Sequence, residues 1–199
     1  MGESKKRFRK TRRIAVGLCI VLFLLASYEV YMKEQGNFHP VTPGVAYRSA
    51  QLEKDVMEYY VSKYGIRSVI NLRGEHSGKE WYDQEMEVCR NFKIEHHDLK
   101  MSATEMPSLD MIEALISIFK TTPRPVLIHC KHGADRSGLA AAIWKMVIDG
   151  QPKLEAKKQL SIFFGHVSIG PTRVLDEFFE KWEPEKNVCD RAKAAETKD

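Results

Sequence analysis

A cysteine and an arginine separated by five residues suggest the chemistry of this chain. The apolar run 125–128 leads to Cys130, and Arg136 and Ser137 follow after a short turn. Backbone N–H groups of such a turn, and the positive end of a helix predicted from Gly138, favour an oxyanion and the thiolate form of the cysteine. The Arg136 fork suits two phosphoryl oxygens, and the Ser137 hydroxyl is placed to hydrogen-bond the sulfur as a leaving group. The segment therefore predicts hydrolysis of phosphate esters through a phosphocysteine. The predicted phosphate-binding residues are Lys131, His132, Gly133, Ala134, Asp135, Arg136 and Ser137.

A cysteine at the end of an apolar strand is more often a small buried side chain than a catalyst. Here Lys131, His132 and Arg136 place three basic groups within seven residues of Cys130, which favours the catalytic interpretation. Asp135 places a negative charge beside these basic groups and reduces the net positive charge of the turn. We therefore expect Asp135 to face away from the substrate and to stabilise the helix dipole.

Hydrophobic periodicity predicts the elements that position this segment. Strands are predicted near 45–48, 67–72, 93–99 and 125–130, and helices near 52–64, 79–91, 108–120, 138–149, 153–163 and 172–182. This alternation indicates an α/β fold with a mainly parallel central sheet flanked by helices. Ligands of such sheets bind at the carboxyl ends of the strands, which is where Cys130 falls.

The segment His129–Gly138 resembles the signature loop of the cysteine-based protein tyrosine and dual-specificity phosphatases. The residues of this segment are most similar to those of the bacterial branch that includes periplasmic dual-specificity phosphatases. Tyr47–Gln51 and Val69–Glu75 agree in order and spacing, so the resemblance covers roughly residues 44–180. It implies a dual-specificity phosphatase-like fold, Cys130 as nucleophile, Arg136 as phosphate ligand, a phosphorylated protein as substrate and no cofactor.

The general acid departs from the pattern of the family that the chain resembles. Relatives protonate the leaving group with an aspartate on a loop before the helix that leads to the cysteine strand. Asp98 has about the right separation from Cys130 but falls within a predicted strand, whereas Glu105 lies on the following loop. Thr104 occupies the place of a short-loop aspartate and is not an acid, and Asp110 is better placed to start the next helix. Glu105 and Asp98 both remain candidates.

Charge divides the chain into a leader and a domain. Residues 1–13 contain seven basic residues and Glu3, a net charge of +6, while the whole chain carries +4, so residues 14–199 carry −2. The domain therefore lacks the excess of positive charge that is typical of nucleic-acid-binding proteins. No set of His, Cys and Asp residues has metal-ligand spacing, so no metal is expected.

The apolar run after the leader predicts a membrane anchor. Residues 14–28 are uncharged, fewer than the roughly 20 that a spanning helix prefers, and a cleaved signal peptide has the same basic and apolar regions. Ala26-Ser27-Tyr28 does not form a small-x-small cleavage site, which favours an uncleaved signal anchor over 14–32. The positive-inside rule then places the leader in the cytoplasm and the domain in the periplasm of a bacterium, on a single-pass inner-membrane anchor. Release by cleavage is the alternative.

The predicted organisation is a basic leader (1–13), the anchor (14–32), a linker (33–43), a phosphatase domain (44–182) and a charged tail (183–199). Phosphotyrosine-containing proteins are the leading substrate by resemblance. Two alternatives stay open. An anchored enzyme with Lys131 and His132 in its loop could act on an anionic phospholipid such as a phosphoinositide or phosphatidylglycerophosphate, and a chain without a dedicated acid could be a non-catalytic phosphate receptor.

Overall fold

The computed structural model describes residues 12–13, 16–23, 27–28 and 34–184. The chain divides into two compact units, Met1–Gln35 and Gly36–Asp199. In the first unit, residues 16–23 are helical and exposed. Among the residues described, no helix combines the length and the apolar character that a bilayer crossing requires. The rest of the predicted leader, anchor and tail, residues 1–11, 14–15, 24–26, 29–33 and 185–199, lies outside the described residues.

Five strands of the second unit form one sheet in the order β1-β2-β5-β3-β4. They are β1 (His39–Thr42), β2 (Ala46–Ser49), β3 (Ser68–Asn71), β4 (Glu95–Asp98) and β5 (Val126–His129). Strands β2, β5, β3 and β4 pair in parallel, and β1 runs antiparallel to β2. The predicted α/β fold with a mainly parallel sheet is confirmed.

Helices cover both faces of this sheet. They are α1 (Lys54–Tyr64), α2 (Glu80–Phe92), α3 (Leu109–Thr121), α4 (Asp135–Val147), α5 (Lys153–Ala156) and α6 (Arg173–Lys181), with 3₁₀ turns at Lys157–Gln159, Ile162–Phe164 and Gly170–Thr172. Side chains alternate along β5, so Val126 and Ile128 join the core under α3, α4 and α6, and Leu127 joins the core under α1 and α2. Burial on both faces fixes the register of β5 and therefore the position of Cys130.

Cys89, on α2, lies in the second of these cores. Its side chain is buried, and burial raises the pKa of the Cys89 thiol to about 12. A thiol in this state is a packing group rather than a nucleophile.

Residues 39–42, within the linker predicted over 33–43, form β1. Pro40 lacks an N–H donor and lowers the strand signal of this segment. The sheet accommodates Pro40 because β1 is an edge strand, and the register shifts between Pro40 and Thr42. The second compact unit includes this strand and begins at Gly36.

Two predicted helix boundaries were also wrong. Helix α4 begins at Asp135 rather than near Gly138, since the Gly138 N–H already donates to the Ala134 carbonyl at 3.1 Å. The helix predicted over 153–163 ends at Ala156 and continues only as 3₁₀ turns. There the Gln159 carbonyl accepts a hydrogen bond from a buried arginine side chain at 2.6 Å instead of from a later helical N–H.

Candidate active site

Cys130 follows the last residue of β5 and lies at the carboxyl edge of the parallel strands. Its N–H donates to the Ser49 carbonyl of the neighbouring strand at 3.4 Å, and only 2% of the residue is exposed. The buried Ser137 hydroxyl lies 3.4 Å from the Cys130 sulfur. The structure therefore brings the predicted nucleophile and its predicted hydrogen-bond partner together.

The carbonyl groups of the turn between Cys130 and Arg136 point outward. Gln51 N–H donates to the Lys131 carbonyl at 3.3 Å, and the Asn37 amide donates to the His132 carbonyl at 3.1 Å. One nitrogen of Arg48, Nη2, donates to the Gly133 and Ala134 carbonyls, each at 2.9 Å. The carbonyl and the N–H of a trans peptide point in opposite directions, so these contacts turn the next N–H groups toward the interior of the loop. The result is a concave set of donors around Cys130, which suits a tetrahedral oxyanion.

Gly133 is required by the close approach of this loop to β2. Its φ of +71° lies in the left-handed region, and a Cβ atom there would lie 2.5 Å from the Ala50 nitrogen and 2.8 Å from the Ser49 carbonyl carbon. Both contacts are with backbone, which cannot rotate away. Glycine at this position therefore lets the loop close against the sheet.

Arg48 is the principal support of the loop, and the sequence assigned it no role. It is fully buried, its Nη1 donates to the Gln159 carbonyl and side chain, and its guanidinium lies 4.4 Å from the centre of the Phe164 ring. Burial lowers the pKa of Arg48 to about 10, while Cys130 and Asp135 act in the opposite direction. The signal that could have revealed this role is the segment Tyr47–Gln51, which carries part of the resemblance.

Arg136 is held at the opposite side of the loop. Its Nη1 donates to the carbonyls of Leu72 and Met101, each at 3.3 Å. Its Nε is buried and has no hydrogen-bond partner in the described part of the chain. Buried donors are almost always paired, so this N–H is available to a ligand that enters the loop. The Arg136 Nε–H can therefore donate to an oxyanion held in the loop.

Lys131 and His132 lie at the mouth of the loop and are exposed. Arg73, which the sequence did not assign, adds a further cation nearby. Its guanidinium stacks on Trp81 at 3.3 Å from the ring centre, and its Nη1 donates to the Gln51 side chain at 2.9 Å. Burial and the adjacent Arg136 both lower the pKa of Arg73. Arg73, Lys131, His132 and Arg136 thus add basic side chains to the loop beside the buried Arg48.

Asp135 faces away from the interior of the loop, in agreement with the expectation. One carboxylate oxygen lies 2.8 Å from His166 Nδ1, and His166 Nε2 lies 2.9 Å from an Asp176 oxygen. Burial lowers the pKa of His166, but the hydrogen bonds to Asp135 and Asp176 outweigh it and raise the value. The histidine therefore ties the first turn of α4 to α6.

The two candidate acids have different surroundings. Asp98 accepts hydrogen bonds from Asn71 at 2.8 Å and from the Tyr82 hydroxyl at 2.6 Å, so both of its oxygens are occupied. Burial and Asp98 together raise the pKa of Tyr82. Glu105 is exposed on the 99–108 loop, the loop whose Met101 carbonyl accepts from Arg136.

A buried carboxylate that the sequence analysis missed lies behind Cys130. Glu85, on α2, is 3.1 Å from His129 Nε2 and 2.9 Å from His96 Nε2, and it accepts from Gln51 at 2.7 Å. Burial alone would raise the pKa of Glu85, but His129 and His96 hold it well below its usual range. Glu85 thereby orients the side chain that precedes the nucleophile. Among the described residues, no group of three or more His, Cys, Asp or Glu could hold a metal ion.

The chain is similar to known cysteine-based phosphatases. Over 36 residues it is 47% identical to the dual specificity protein phosphatase TpbA of two Pseudomonas aeruginosa strains. That alignment covers 18% of this chain and 16% of TpbA, so the chain matches about a sixth of the length of these curated relatives.

Three solved structures share the fold at 19–21% identity. A TpbA variant in complex with phosphotyrosine has a TM-score of 0.58, and the match covers 75% of this chain and 86% of that one. The catalytic core of the Saccharomyces cerevisiae PP-IP phosphatase SIW14, in complex with citrate, has a TM-score of 0.60 with 79% and 93% covered. PTPMT1 in complex with PI(5)P has a TM-score of 0.54 with 78% and 98% covered.

A family model described as "DSP-PTPase phosphatase fused to NAD+ Kinase" matches residues 28–169. The matched range contains the whole sheet, the cysteine loop and both candidate acids. Since this is well over half of the 199 residues, the chain belongs to this family of cysteine-based, dual-specificity-like phosphatases.

Proposed function

We propose that the protein hydrolyses phosphate monoesters through a phosphocysteine at Cys130. The observation that carries this proposal is the loop itself, whose outward carbonyls leave a ring of N–H donors above a buried cysteine. The unpaired Nε of Arg136 at the same loop supports it. A receptor that only binds phosphate would have no use for a thiol at the floor of the site or for a hydroxyl 3.4 Å from its sulfur.

The first half of the reaction transfers the phosphoryl group to the protein. The Cys130 thiolate attacks phosphorus, the bond from phosphorus to the ester oxygen breaks, and that oxygen leaves with the electron pair and takes a proton from the general acid. The loop N–H groups and Arg136 stabilise the negative charge that is spread over the phosphoryl oxygens in the transition state.

The second half regenerates the thiol. Water loses a proton to the carboxylate that served as acid, attacks the phosphorus, and the sulfur–phosphorus bond breaks to release inorganic phosphate. The Ser137 hydroxyl is placed to donate to the sulfur as negative charge returns to it.

The proposed substrate is a phosphorylated protein. Two named similarities support this class: TpbA is a dual specificity protein phosphatase, and one of its structures contains phosphotyrosine. A phospholipid phosphate is the second candidate, because exposed Lys131 and His132 flank the mouth of the site and the structure of PTPMT1 holds PI(5)P.

Turnover by the full chain should distinguish these two classes. We expect kcat/KM for a phosphotyrosine peptide to exceed that for phosphatidylinositol phosphate in vesicles, measured by phosphate release at equal ionic strength. The reverse order would transfer the proposal to the lipid. Activity on neither would contradict both substrate classes.

Glu105 is the proposed general acid, because both oxygens of Asp98 already accept hydrogen bonds. Glu105→Gln should lower turnover of an alkyl phosphate by about 100-fold or more, the usual contribution of a general acid, and spare nitrophenyl phosphate, whose leaving group needs little protonation. Asp98→Asn is the matched control and should change the ratio of the two rates little. If Asp98→Asn shows the selective loss instead, the role belongs to Asp98.

We also propose that residues 14–32 anchor the chain in a bacterial inner membrane with the phosphatase unit in the periplasm. The seven basic residues of the leader and the uncharged run after them support this orientation. A reporter that works only outside the cytoplasm, fused after residue 199, should be active. Neutral replacement of the seven basic residues should reduce its activity, and a fusion active only in the cytoplasm would contradict the orientation.

A further inference from the structure

The segment from Ser161 to Gly170, here called the 161–170 segment, has the reverse of the usual burial pattern. Its polar His166 is buried, whereas Ile162, Phe163 and Ile169 are 71%, 73% and 76% exposed, and Val167 is exposed as well. Apolar side chains of this size lie in water singly in most soluble proteins, and a cluster of them in one short segment indicates a surface that contacts something apolar.

This segment is fixed to the phosphate loop. The Phe164 carbonyl accepts from the Asn37 amide at 2.9 Å, and the same amide nitrogen holds the His132 carbonyl of the loop. The Phe164 ring covers Arg48, and His166 binds Asp135 at the start of α4. The Phe164 and His166 contacts therefore fix the segment beside the catalytic loop, and the exposed apolar side chains lie within a few residues of these contacts.

The second compact unit also begins beside the 161–170 segment, because Asn37, its second residue, donates to the Phe164 carbonyl. Asn37 is five residues after the end of the proposed anchor at Met32, a length of at most about 18 Å for an extended chain. A bilayer that holds residues 14–32 is thus within reach of the surface to which Asn37 is bonded. Exposed Lys131 and His132 lie in the loop that Asn37 contacts, and basic side chains are attracted to anionic headgroups.

We propose that the 161–170 segment is a membrane-docking surface whose Ile162, Phe163, Val167 and Ile169 insert into the interfacial region of the lipid bilayer. This inference rests on the proposed anchoring of residues 14–32. Docking at this segment brings the cysteine loop, which shares the Asn37 amide with it, close to the headgroups. The phosphatase then works on phosphate groups held close to the membrane surface.

The test places a tryptophan in the segment and measures its contact with lipid. The full chain with Phe163→Trp is reconstituted into phosphatidylglycerol and phosphatidylethanolamine vesicles made with brominated acyl chains, which quench tryptophan. Phe92→Trp is the matched control, because Phe92 is an exposed aromatic at the end of α2, next to the amino end of β4 and on the edge of the sheet opposite to Cys130. The unsubstituted chain gives the background of the natural tryptophans.

The emission added by Phe163→Trp should fall by about half or more, since interfacial segments bury their apolar face ~5–10 Å into the headgroup and acyl boundary. The emission added by Phe92→Trp should not change. Equal quenching of both, quenching of neither, or failure of the chain to sediment with the vesicles would each overturn the proposal. A blue shift of the Phe163→Trp emission that grows with protein concentration without lipid would assign the surface to a second copy instead. Because the readout needs no turnover, it is repeated with Cys130→Ser, so failure of docking is distinguished from failure of the proposed catalysis.

Discussion

Cys130→Ser should abolish turnover while the protein still folds and binds phosphate. A serine hydroxyl without an adjacent base is almost fully protonated at pH 7, so the attack on phosphorus loses several orders of magnitude in rate. The exchange of sulfur for oxygen leaves the loop contacts of Arg48 and Asn37 in place. The measurements are single-turnover hydrolysis of nitrophenyl phosphate and the rise in melting temperature on addition of inorganic phosphate, which reports binding to the folded state.

Cys19→Ser is the matched control, because Cys19 is exposed and belongs to the first unit of the chain. It should keep the turnover of the unsubstituted protein. Hydrolysis by Cys130→Ser at a rate comparable with that of the control would remove the phosphocysteine mechanism. Loss of both turnover and phosphate binding would show instead that the sulfur is needed for the structure of the loop.

Arg136→Lys should lower kcat/KM by at least about 100-fold, the usual loss when a donor to the transition-state charge is removed. An ammonium group keeps the charge but has neither the planar fork nor the Nε–H that Arg136 directs into the site. The ammonium group can still reach one carbonyl of Leu72 or Met101, so folding should survive the change. Steady-state kinetics on an aryl phosphate and thermal unfolding together separate the loss of catalysis from a loss of stability.

Arg173→Lys serves as the comparison for this variant. Arg173 is exposed at the start of α6, where it pairs with Glu177 at 3.2 Å, and its replacement should alter neither measurement. Kinetics of Arg136→Lys within a few fold of those of Arg173→Lys would reduce Arg136 to a structural residue of the 99–108 loop.

The elements with continuous local signals could be predicted from the sequence. Strand β5 is an unbroken apolar run, and the turn that follows it contains the glycine and the cations that a phosphate loop needs. Both features depend on neighbouring residues, which is why Cys130, Ser137 and Arg136 were found together. Strand β1 was missed because Pro40 weakens the local signal, and only its pairing with β2 reveals that it is an edge strand.

The supports of the loop could not be derived from spacing, because they come from distant parts of the chain. Asn37 is 95 residues from the carbonyl that it holds, and Arg48 is 85 and 86 residues from its two loop carbonyls. Glu85 lies 44 residues before His129, in an amphipathic helix where a carboxylate is expected on the solvated side. Its burial depends on two histidines and a glutamine that only the folded sheet brings to it.

If residues 14–32 anchor the chain as proposed, the position of Asn37 limits where the phosphatase unit can be cut from that anchor. Cleavage before Gly36, for example after Tyr28, leaves Asn37 attached and preserves both of its hydrogen bonds. Cleavage after Asn37, two residues beyond the bond that precedes Gly36, would remove the donor that holds the His132 and Phe164 carbonyls. In a chain anchored as proposed, a cut that preserves the supported loop and a cut that removes its Asn37 support therefore lie only two residues apart.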